Sequence, residues 1–303
     1  MDPLVSLHDE AFRFAVKLRI GHPHTDDLPT RCVCGAHLAK DPHHYMSCIM
    51  LRHTGVNHRH NRVVQRIATF IRRAGGAAEV EPTNLSYRDG SRPDIFAALG
   101  DSSYIIDATG HHPTARSNIP YAQSVLGVAL RAEAHKNKRY MDMSREQGST
   151  FVPFSFESYG GFGPSSQSFV KALTKFARDS QKIDTSQIKS FRDSIIHSVA
   201  AAIQFGNWMI VSMGTQQSKS KAAALSRLLA PHSSASFPSL PHHQFMSPPS
   251  SNQRPSRIPI SRRRSGLREG LFPSPSPPAP PPAPPHPPPP ASPQVSFQVN
   301  IGR

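Results

Sequence analysis

The sequence predicts an α/β fold in which a mixed sheet is covered by helices, and three observations support this prediction. Four short runs are rich in β-branched and aromatic residues and are bounded by glycine, proline or serine, as strands are. Helical patterns precede, separate and follow these runs in the order α-β-β-β-α-β-α, which favours a mixed sheet with helices on its faces. Of the 31 prolines, 21 lie from Pro231 onward, so the sheet and its helices belong to the residues before that point.

The first two helices are predicted from apolar residues that recur at helical spacing. One covers residues 6–20, with Ser6 as its candidate N-cap. Its apolar positions are Phe12, Phe14, Ala15 and Leu18. The other lies within residues 57–76 and ends at Gly75-Gly76. Its apolar face comprises Val63, Val64, Ile67, Phe70 and Ile71.

The strands and the remaining helices follow in order. The runs "AAEVEP", "RPDIFAAL" and "SSYIIDAT" predict three consecutive strands, and "TFVPFSFES" predicts a fourth. A long helix is expected over about 121–146, between the third strand and the fourth, and another over about 165–179. A further helix over about 185–204 and a smaller one around "SKAAALSRLL" complete the predicted ordered part.

The charge of the chain indicates a polyanionic partner. The formal net charge is +15. The residues from Pro231 onward carry seven arginines and one acid, a net +6, which leaves +9 for the residues before them. Nucleic acid is the first choice of partner and an anionic membrane the second. We expect no membrane span, because "SVAAAIQFGNWMIVSM" is short and polar residues interrupt it. Three cysteines and no apolar leader favour an intracellular protein without disulfides.

Residues 231–303 are predicted to form a disordered Pro/Arg-rich tail. The stretch "SPSPPAPPPAPPHPPPPASP" lacks backbone donors at most positions and favours a polyproline II coil. Coils of this kind are ligands for SH3 and WW domains, so a scaffold role for the tail is a third functional interpretation.

All three cysteines lie in one segment and predict a structural zinc site. Cys32 and Cys34 are followed by His44 and Cys48, a set of three thiolates and one imidazole that suits tetrahedral Zn²⁺. His37 and His43 are alternative ligands. The other interpretation is a group of buried free thiols among incidental histidines.

Two aspartates within apolar strands predict a second metal site. Asp94 begins one strand run and Asp107 lies near the end of the next. Each aspartate alone is more simply a strand-end residue that faces solvent or caps a turn. If the two strands pair, however, both carboxylates meet at one end of the sheet, where Mg²⁺ would hold them. Lys136, with Lys138 in reserve, is the candidate for stabilising a phosphate there, and the alternative for both lysines is a solvated helix face.

The order of these motifs resembles the C-terminal region of non-LTR retrotransposon proteins. In that family a zinc knuckle precedes a restriction-enzyme-like endonuclease of the PD-(D/E)XK superfamily, whose core has the order α-β-β-β-α-β. The resemblance covers roughly residues 1–213. It rests on Cys32, Cys34, His44 and Cys48, on Arg59-His60-Asn61, on Arg92-Pro93-Asp94, on Asp107-Ala108-Thr109, and on Lys136 to Tyr140.

The resemblance implies a domain order and a function. The expected domains are an N-terminal helix and zinc knuckle (1–55), a restriction-endonuclease-like core (56–182), C-terminal helices (183–230) and the tail. The core would be a Mg²⁺-dependent endonuclease that nicks DNA, with Asp94 and Asp107 as metal ligands and Lys136 or Lys138 assisting. Thr109 stands where the superfamily usually has lysine, so a helix must supply the lysine. No reverse transcriptase motif is present, and the alternative function is an inactive nucleic-acid-binding remnant.

The implied partners follow from that function. We expect DNA, with RNA as a second partner, no small-molecule substrate, and a nuclear location. The residues expected to contact nucleic acid are Arg59, His60, Arg92, Arg139 and Tyr140, together with the basic helix face of Arg62, Arg66, Arg72 and Arg73.

Overall fold

A four-stranded mixed sheet forms the centre of the protein, as predicted. The computed structural model describes residues 4–22, 28–85, 90 and 92–229, so the predicted tail lies outside the described residues. The strands are β1 (Ala77–Val80), β2 (Ile95–Leu99), β3 (Ser102–His111) and β4 (Thr150–Glu157), and they lie in that order. β1 and β2 are antiparallel, as are β2 and β3, whereas β3 and β4 are parallel.

Five α-helices accompany the sheet in the described part of the chain. They are α1 (Asp9–Arg19), α2 (Asn57–Arg73), α3 (Gly127–Glu146), α4 (Pro164–Asp179) and α5 (Ile188–Leu229). The order from α2 to α4 is the predicted α-β-β-β-α-β-α. Two predicted boundaries are wrong. The segment before Gly127 makes successive tight turns instead of a helical turn, and the last two predicted helices are one continuous helix, α5.

The start of α1 also differs from the prediction. The N-cap is His8 instead of Ser6, because the His8 Nδ1 atom accepts a hydrogen bond from the Ala11 amide. Phe12 was assigned to the apolar face, but its side chain is 59% exposed. The buried face of α1 consists of Ala11, Phe14, Ala15 and Leu18.

The two faces of the sheet are covered by different helices. Alternate residues of β2, β3 and β4, such as Ile95 and Ile106, join α2, α4 and α5 in the larger hydrophobic core. On the opposite face, Ile105 of β3 packs against Tyr140 of α3. Because side chains alternate along a strand, Asp107 lies on the same face as Ile105 and points toward α3. A separate hydrophobic cluster joins α1, residues 32–51 and the second half of α5.

α5 contacts α2 closely at a glycine, which gives a test of this packing. A Cβ atom at Gly206 would lie 2.4 Å from the Arg59 Cβ and 2.8 Å from its Cα, a backbone atom that a rotamer change cannot move. We therefore expect Gly206→Ala to lower the free energy of unfolding by about 1–3 kcal/mol, as overpacking does. Thermal or urea unfolding measures this effect, with the exposed Ser220→Ala on the same helix as control. Equal stability of the two variants would contradict the close approach.

One helix, Thr185–Leu228, is long and apolar enough to cross a membrane by length and composition alone, with a mean hydropathy of 1.3 in its most apolar window. In that window 56% is buried within the protein. Core helices of soluble proteins meet the same criterion, so this is weak evidence for a membrane span.

Candidate functional site

The first candidate site is the cysteine cluster, which consists of Cys32, Cys34, His44 and Cys48. Cys32 and Cys34 lie on a tight turn in which the Cys32 amide donates to the Ala36 carbonyl and the Gly35 amide to the Cys32 carbonyl. A short 3₁₀ turn, His44–Ser47, carries the histidine and ends at Cys48. The four ligand atoms all lie within 4.8 Å of one another, so the cluster is compact enough to hold a metal ion such as zinc.

Two ligand distances within the cluster lie at or below those of a tetrahedral metal site, so the ligand atoms are close enough to share one ion. The Cys32 and Cys48 sulfurs are 3.5 Å apart, and the Cys34 sulfur is 3.0 Å from His44 Nε2. Ligands of one tetrahedral Zn²⁺ are separated by about 3.5–3.8 Å, given Zn–S and Zn–N bonds of about 2.3 and 2.0 Å. Three sulfurs and one imidazole nitrogen are also the ligand types that structural zinc selects.

The thiol pKa values differ across the cluster. Burial raises the pKa of Cys32 to about 12, so its thiolate is costly without a positive charge beside it. Burial also raises the pKa of Cys34, but hydrogen bonds from the Ala36 amide and from His44 outweigh burial and lower the pKa of Cys34 to about 7. A cation at the centre would stabilise the thiolate form of each cysteine. The alternative ligand His37 is exposed, and neither it nor His43 belongs to the group of four.

The second candidate site is the carboxylate cluster, which consists of His60, Asp94, Asp107 and Lys136. Ile95 of β2 pairs with Ile106 of β3, so the flanking residues Asp94 and Asp107 lie opposite each other at the end of the antiparallel ladder. The Glu81 amide donates to the Asp94 carbonyl at 2.9 Å, which extends the β1–β2 pairing by one residue and fixes the Asp94 backbone. α3 and α2 then bring Lys136 and His60 to the pair.

Hydrogen bonds orient each carboxylate. Asp94 Oδ2 accepts from the Ala108 amide at 2.6 Å, and Asp94 Oδ1 lies 2.9 Å from His60 Nε2. Lys136 Nζ donates to Asp107 Oδ2 at 2.6 Å. The structure therefore brings together Asp94, Asp107 and Lys136, three of the four residues predicted to be catalytic.

The surroundings of the carboxylate cluster raise the pKa values of Asp107 and His60. Burial raises the pKa of Asp107 to about 6; Lys136 opposes this effect and the Asp94 charge adds to it. Burial lowers the pKa of His60, but the Asp94 carboxylate outweighs it, so the net shift is upward. A buried carboxylate, Asp107, and a partly buried one, Asp94, thus share one lysine, and the repulsion between them favours a positive charge at the site.

The raised pKa of Asp107 predicts how stability depends on pH in the absence of divalent metal. The folded protein holds this proton more tightly than the unfolded chain does, so the contribution of Asp107 to stability is lost as pH rises from about 4 to about 6. Asp107→Asn cannot lose a proton there. We expect the stability of Asp107→Asn relative to wild type to increase with pH across this interval, measured by thermal unfolding in EDTA. A difference that does not change with pH would contradict the shift.

Three predicted residues lie outside the carboxylate cluster on the protein surface. Lys138, two positions along α3 from Lys136, is exposed and points away from the cluster, since residues two apart on a helix do not share a face. Arg139 is exposed, with its guanidinium 5.1 Å from the centre of the neighbouring Tyr140 ring. Arg92 is exposed two residues before Asp94.

Two residues predicted to contact nucleic acid are buried instead. Arg59 is 2% exposed, and its Nη1 donates to Asn207 Oδ1 of α5 at 2.8 Å. Tyr140 is 5% exposed and packs edge-on against Phe151. Because neither side chain is accessible to a phosphate, we correct both assignments and leave Arg59 and Tyr140 out of the proposed nucleic-acid interface.

Two polar residues near the cluster make contacts that the sequence did not predict. His60, a predicted nucleic-acid contact, has a side chain that is 32% exposed, and its Nε2 atom lies 2.9 Å from Asp94 Oδ1. Its position one turn inside an amphipathic helix is the signal that it faces inward. Glu133 is 5% exposed and accepts hydrogen bonds from Ser155 Oγ and from the Ser165 amide and hydroxyl. It therefore ties α3 to β4 and caps the first turn of α4.

No protein-family model and no curated protein matches the sequence.

Proposed function

We propose that the chain is a metal-dependent endonuclease domain that nicks DNA by phosphodiester hydrolysis and carries a structural zinc. The single observation that carries this proposal is the convergence of Asp94, Asp107 and Lys136 at one end of β2 and β3. Two neighbouring carboxylates beside one lysine have the composition of a Mg²⁺-dependent phosphoryl-transfer site. The motif order that resembles non-LTR retrotransposon proteins supports the same function.

Within that proposal, the sheet with α2, α3 and α4 corresponds to the restriction-endonuclease-like core and the cysteine cluster to the zinc knuckle. The support for the core is the order α-β-β-β-α-β together with the position of the carboxylates at the β2–β3 pair. The support for the knuckle is the ligand set and its compactness.

The residues of the carboxylate cluster have separate roles. Asp94 and Asp107 would hold Mg²⁺, which supplies a Lewis acid and lowers the pKa of a bound water. Lys136 has its ammonium group beside Asp107 and is available to stabilise negative charge on a phosphate. The Ala108 amide and His60 fix the orientation of Asp94, so that the carboxylate needs no reorganisation when substrate binds.

DNA is the proposed substrate because the chain is basic and offers a polar, positively charged helix face. A shallow cavity of about 310 Å³ on α2 is lined by His58, Asn61, Arg62, Gln65, Arg66 and Thr69. Arg62 is held there by stacking on Phe205 at 3.9 Å. A DNA substrate in turn supports a nuclear location.

Relaxation of supercoiled plasmid tests the proposed function. We expect the zinc-loaded full-length protein to convert supercoiled DNA to the nicked form with Mg²⁺ or Mn²⁺ and to leave it intact in EDTA. Binding of DNA without nicking under any of these conditions would contradict the nuclease and favour the inactive remnant.

A further inference from the structure

A cavity of about 390 Å³ opens beside the carboxylate cluster, between the end of β3 and the first turns of α3. We call it the cationic pocket. Its lining residues are Thr109, His111, Ser117, Asn118, Val128, Arg131, Ala132, His135 and Lys136. The buried Val128 and Ala132 supply an apolar patch, and polar or basic side chains surround it. A small apolar surface with a few convergent polar groups is typical of a ligand site of this size.

The pocket carries positive charge that its own lining does not neutralise. None of the nine lining residues is acidic, whereas Arg131 and Lys136 are cationic and two more are histidines. Burial lowers the pKa of His111, and the charges of Arg59, Arg131 and Lys136 lower it further, so the field at this position is positive. His111 is therefore neutral at neutral pH, and Arg131 supplies the permanent charge.

Arg131 is held in place by an aromatic ring and a carbonyl oxygen, which do not neutralise its charge. Its guanidinium lies 4.1 Å from the centre of the Tyr121 ring, and Nη1 donates to the Ser117 carbonyl at 3.4 Å. Stacking on an aromatic ring fixes the plane of the guanidinium and leaves its edges available for a phosphate, which arginine pairs with through two parallel hydrogen bonds.

The position of the pocket relates it to the carboxylate cluster. Lys136 belongs to both, since it lines the pocket and contacts Asp107. A second cavity, of about 310 Å³, lies on the other side of the carboxylates and is lined by His60, Asn61, Val64, Gln65, Val80, Glu81 and Asp94. Its two acids make it unfavourable for a phosphate. Of the two cavities that flank the carboxylates, the cationic pocket is therefore the one suited to an anion.

We propose that the cationic pocket binds a backbone phosphate of the DNA strand next to the carboxylate cluster, with Arg131 as the residue that pairs with it. The inference rests on the proposed function in one respect, that the ligand is DNA. It adds a subsite that positions the strand, separate from the groups that would act on the scissile bond. Arg131 is thus a binding residue, and Thr109 and His135 line the same subsite.

Binding of a short fluorescent duplex to full-length, zinc-loaded protein tests the pocket. All variants carry Asp94→Ala, so that cleavage does not interfere. Adding Arg131→Met should weaken binding about tenfold, the effect of one charge-assisted hydrogen bond, and reduce the slope of log affinity against log salt by about one. Arg131→Lys should recover part of the affinity because it keeps the charge. The control is Arg145→Met, an equal change of charge at the exposed far end of α3.

The outcomes separate this inference from the proposed nuclease. If Arg131→Met and Arg145→Met have the same affinity and the same salt slope, the pocket proposal is overturned even when the wild type nicks DNA. If the wild type does not nick but Arg131→Met still binds DNA more weakly than Arg145→Met, the result supports the pocket proposal and contradicts the nuclease proposal. Thermal unfolding verifies that each variant is folded. If Arg131→Met is unfolded, Arg131→Gln, which keeps amide donors near Tyr121, replaces it in the same binding measurement.

Discussion

Asp94→Ala is expected to reduce metal-dependent nicking to the level of the protein-free control while DNA binding stays the same or tightens. Asp94 is at the centre of the carboxylate cluster, because it accepts from the Ala108 amide, contacts His60 and faces Asp107 across the strand pair. The substitution removes one of the two carboxylates proposed to hold the metal, so nicking, which depends on the metal, should be lost. Removing a negative charge near the strand also relieves repulsion of phosphate. Plasmid nicking and duplex binding, measured on the same preparation, check both parts.

Two further variants sharpen this prediction. Asp101→Ala removes one carboxylate from the exposed turn between β2 and β3 and should leave nicking unchanged. Lys136→Ala should impair turnover more than binding, since its ammonium group is expected to act on charge that develops during the reaction. Nicking that survives in Asp94→Ala would rule out the carboxylate cluster as the active centre.

Cys48→Ala is expected to abolish zinc binding and to destabilise the protein by more than about 3 kcal/mol, because structural Zn²⁺ contributes about 10–16 kcal/mol of binding free energy in small zinc domains. Cys48 is 2% exposed and packs in the hydrophobic cluster of α1, residues 32–51 and α5, so the metal would stabilise that whole cluster. Metal analysis of purified wild type should find about one zinc per chain. Thermal unfolding before and after chelation measures the stability.

His37→Ala is the matched control for the zinc prediction. His37 lies in the same segment but is exposed and outside the cysteine cluster, so this variant should retain zinc and stability. Purified wild-type protein that contains no zinc, or a Cys48→Ala variant that retains full zinc occupancy, would contradict the predicted zinc site.

The sheet and the two metal-site candidates were predictable because their signals are local. The strand runs are short, apolar and bounded by turn residues, and three of them are consecutive, so pairing of neighbours was the expected outcome. The cysteine cluster spans only residues 32–48, and such a segment has few ways to place its ligands. Once β2 and β3 pair as neighbours, the positions of Asp94 and Asp107 follow from the register.

The burial of Arg59 was not predictable from its surroundings in the sequence. An arginine in a basic helix is usually solvated, and its burial here depends on Asn207, far along the chain on α5. Burial lowers the pKa of Arg59 to about 10, and the hydrogen bond to Asn207 offsets part of the cost of burying its charge. The length of α5 was missed for a related reason. Gly206 and Gly214 interrupt its helical pattern, but they are sites where α5 packs against Arg59 and Tyr45, so tertiary contacts override their low helix propensity.

The identity of the lysine at the carboxylates also needed tertiary information. Lys136 and Lys138 are both in one helix, and the sequence favoured Lys136 only through its resemblance to the retrotransposon family. Tyr140 contributes to the rotation of α3, because it packs on Ile105 and Phe151, and Lys136 lies one helical turn earlier on the side that faces Asp107.

Manganese binding to the carboxylate cluster tests whether Asp94 and Asp107 together hold the divalent metal. Electron paramagnetic resonance measures the free Mn²⁺ that remains when zinc-loaded protein is titrated without DNA. We expect wild type to bind about one Mn²⁺ more than Asp94→Ala or Asp107→Ala, with Mg²⁺ competing for this site, and Asp101→Ala to bind as wild type does. Equal Mn²⁺ uptake by wild type and both aspartate variants would contradict this expectation.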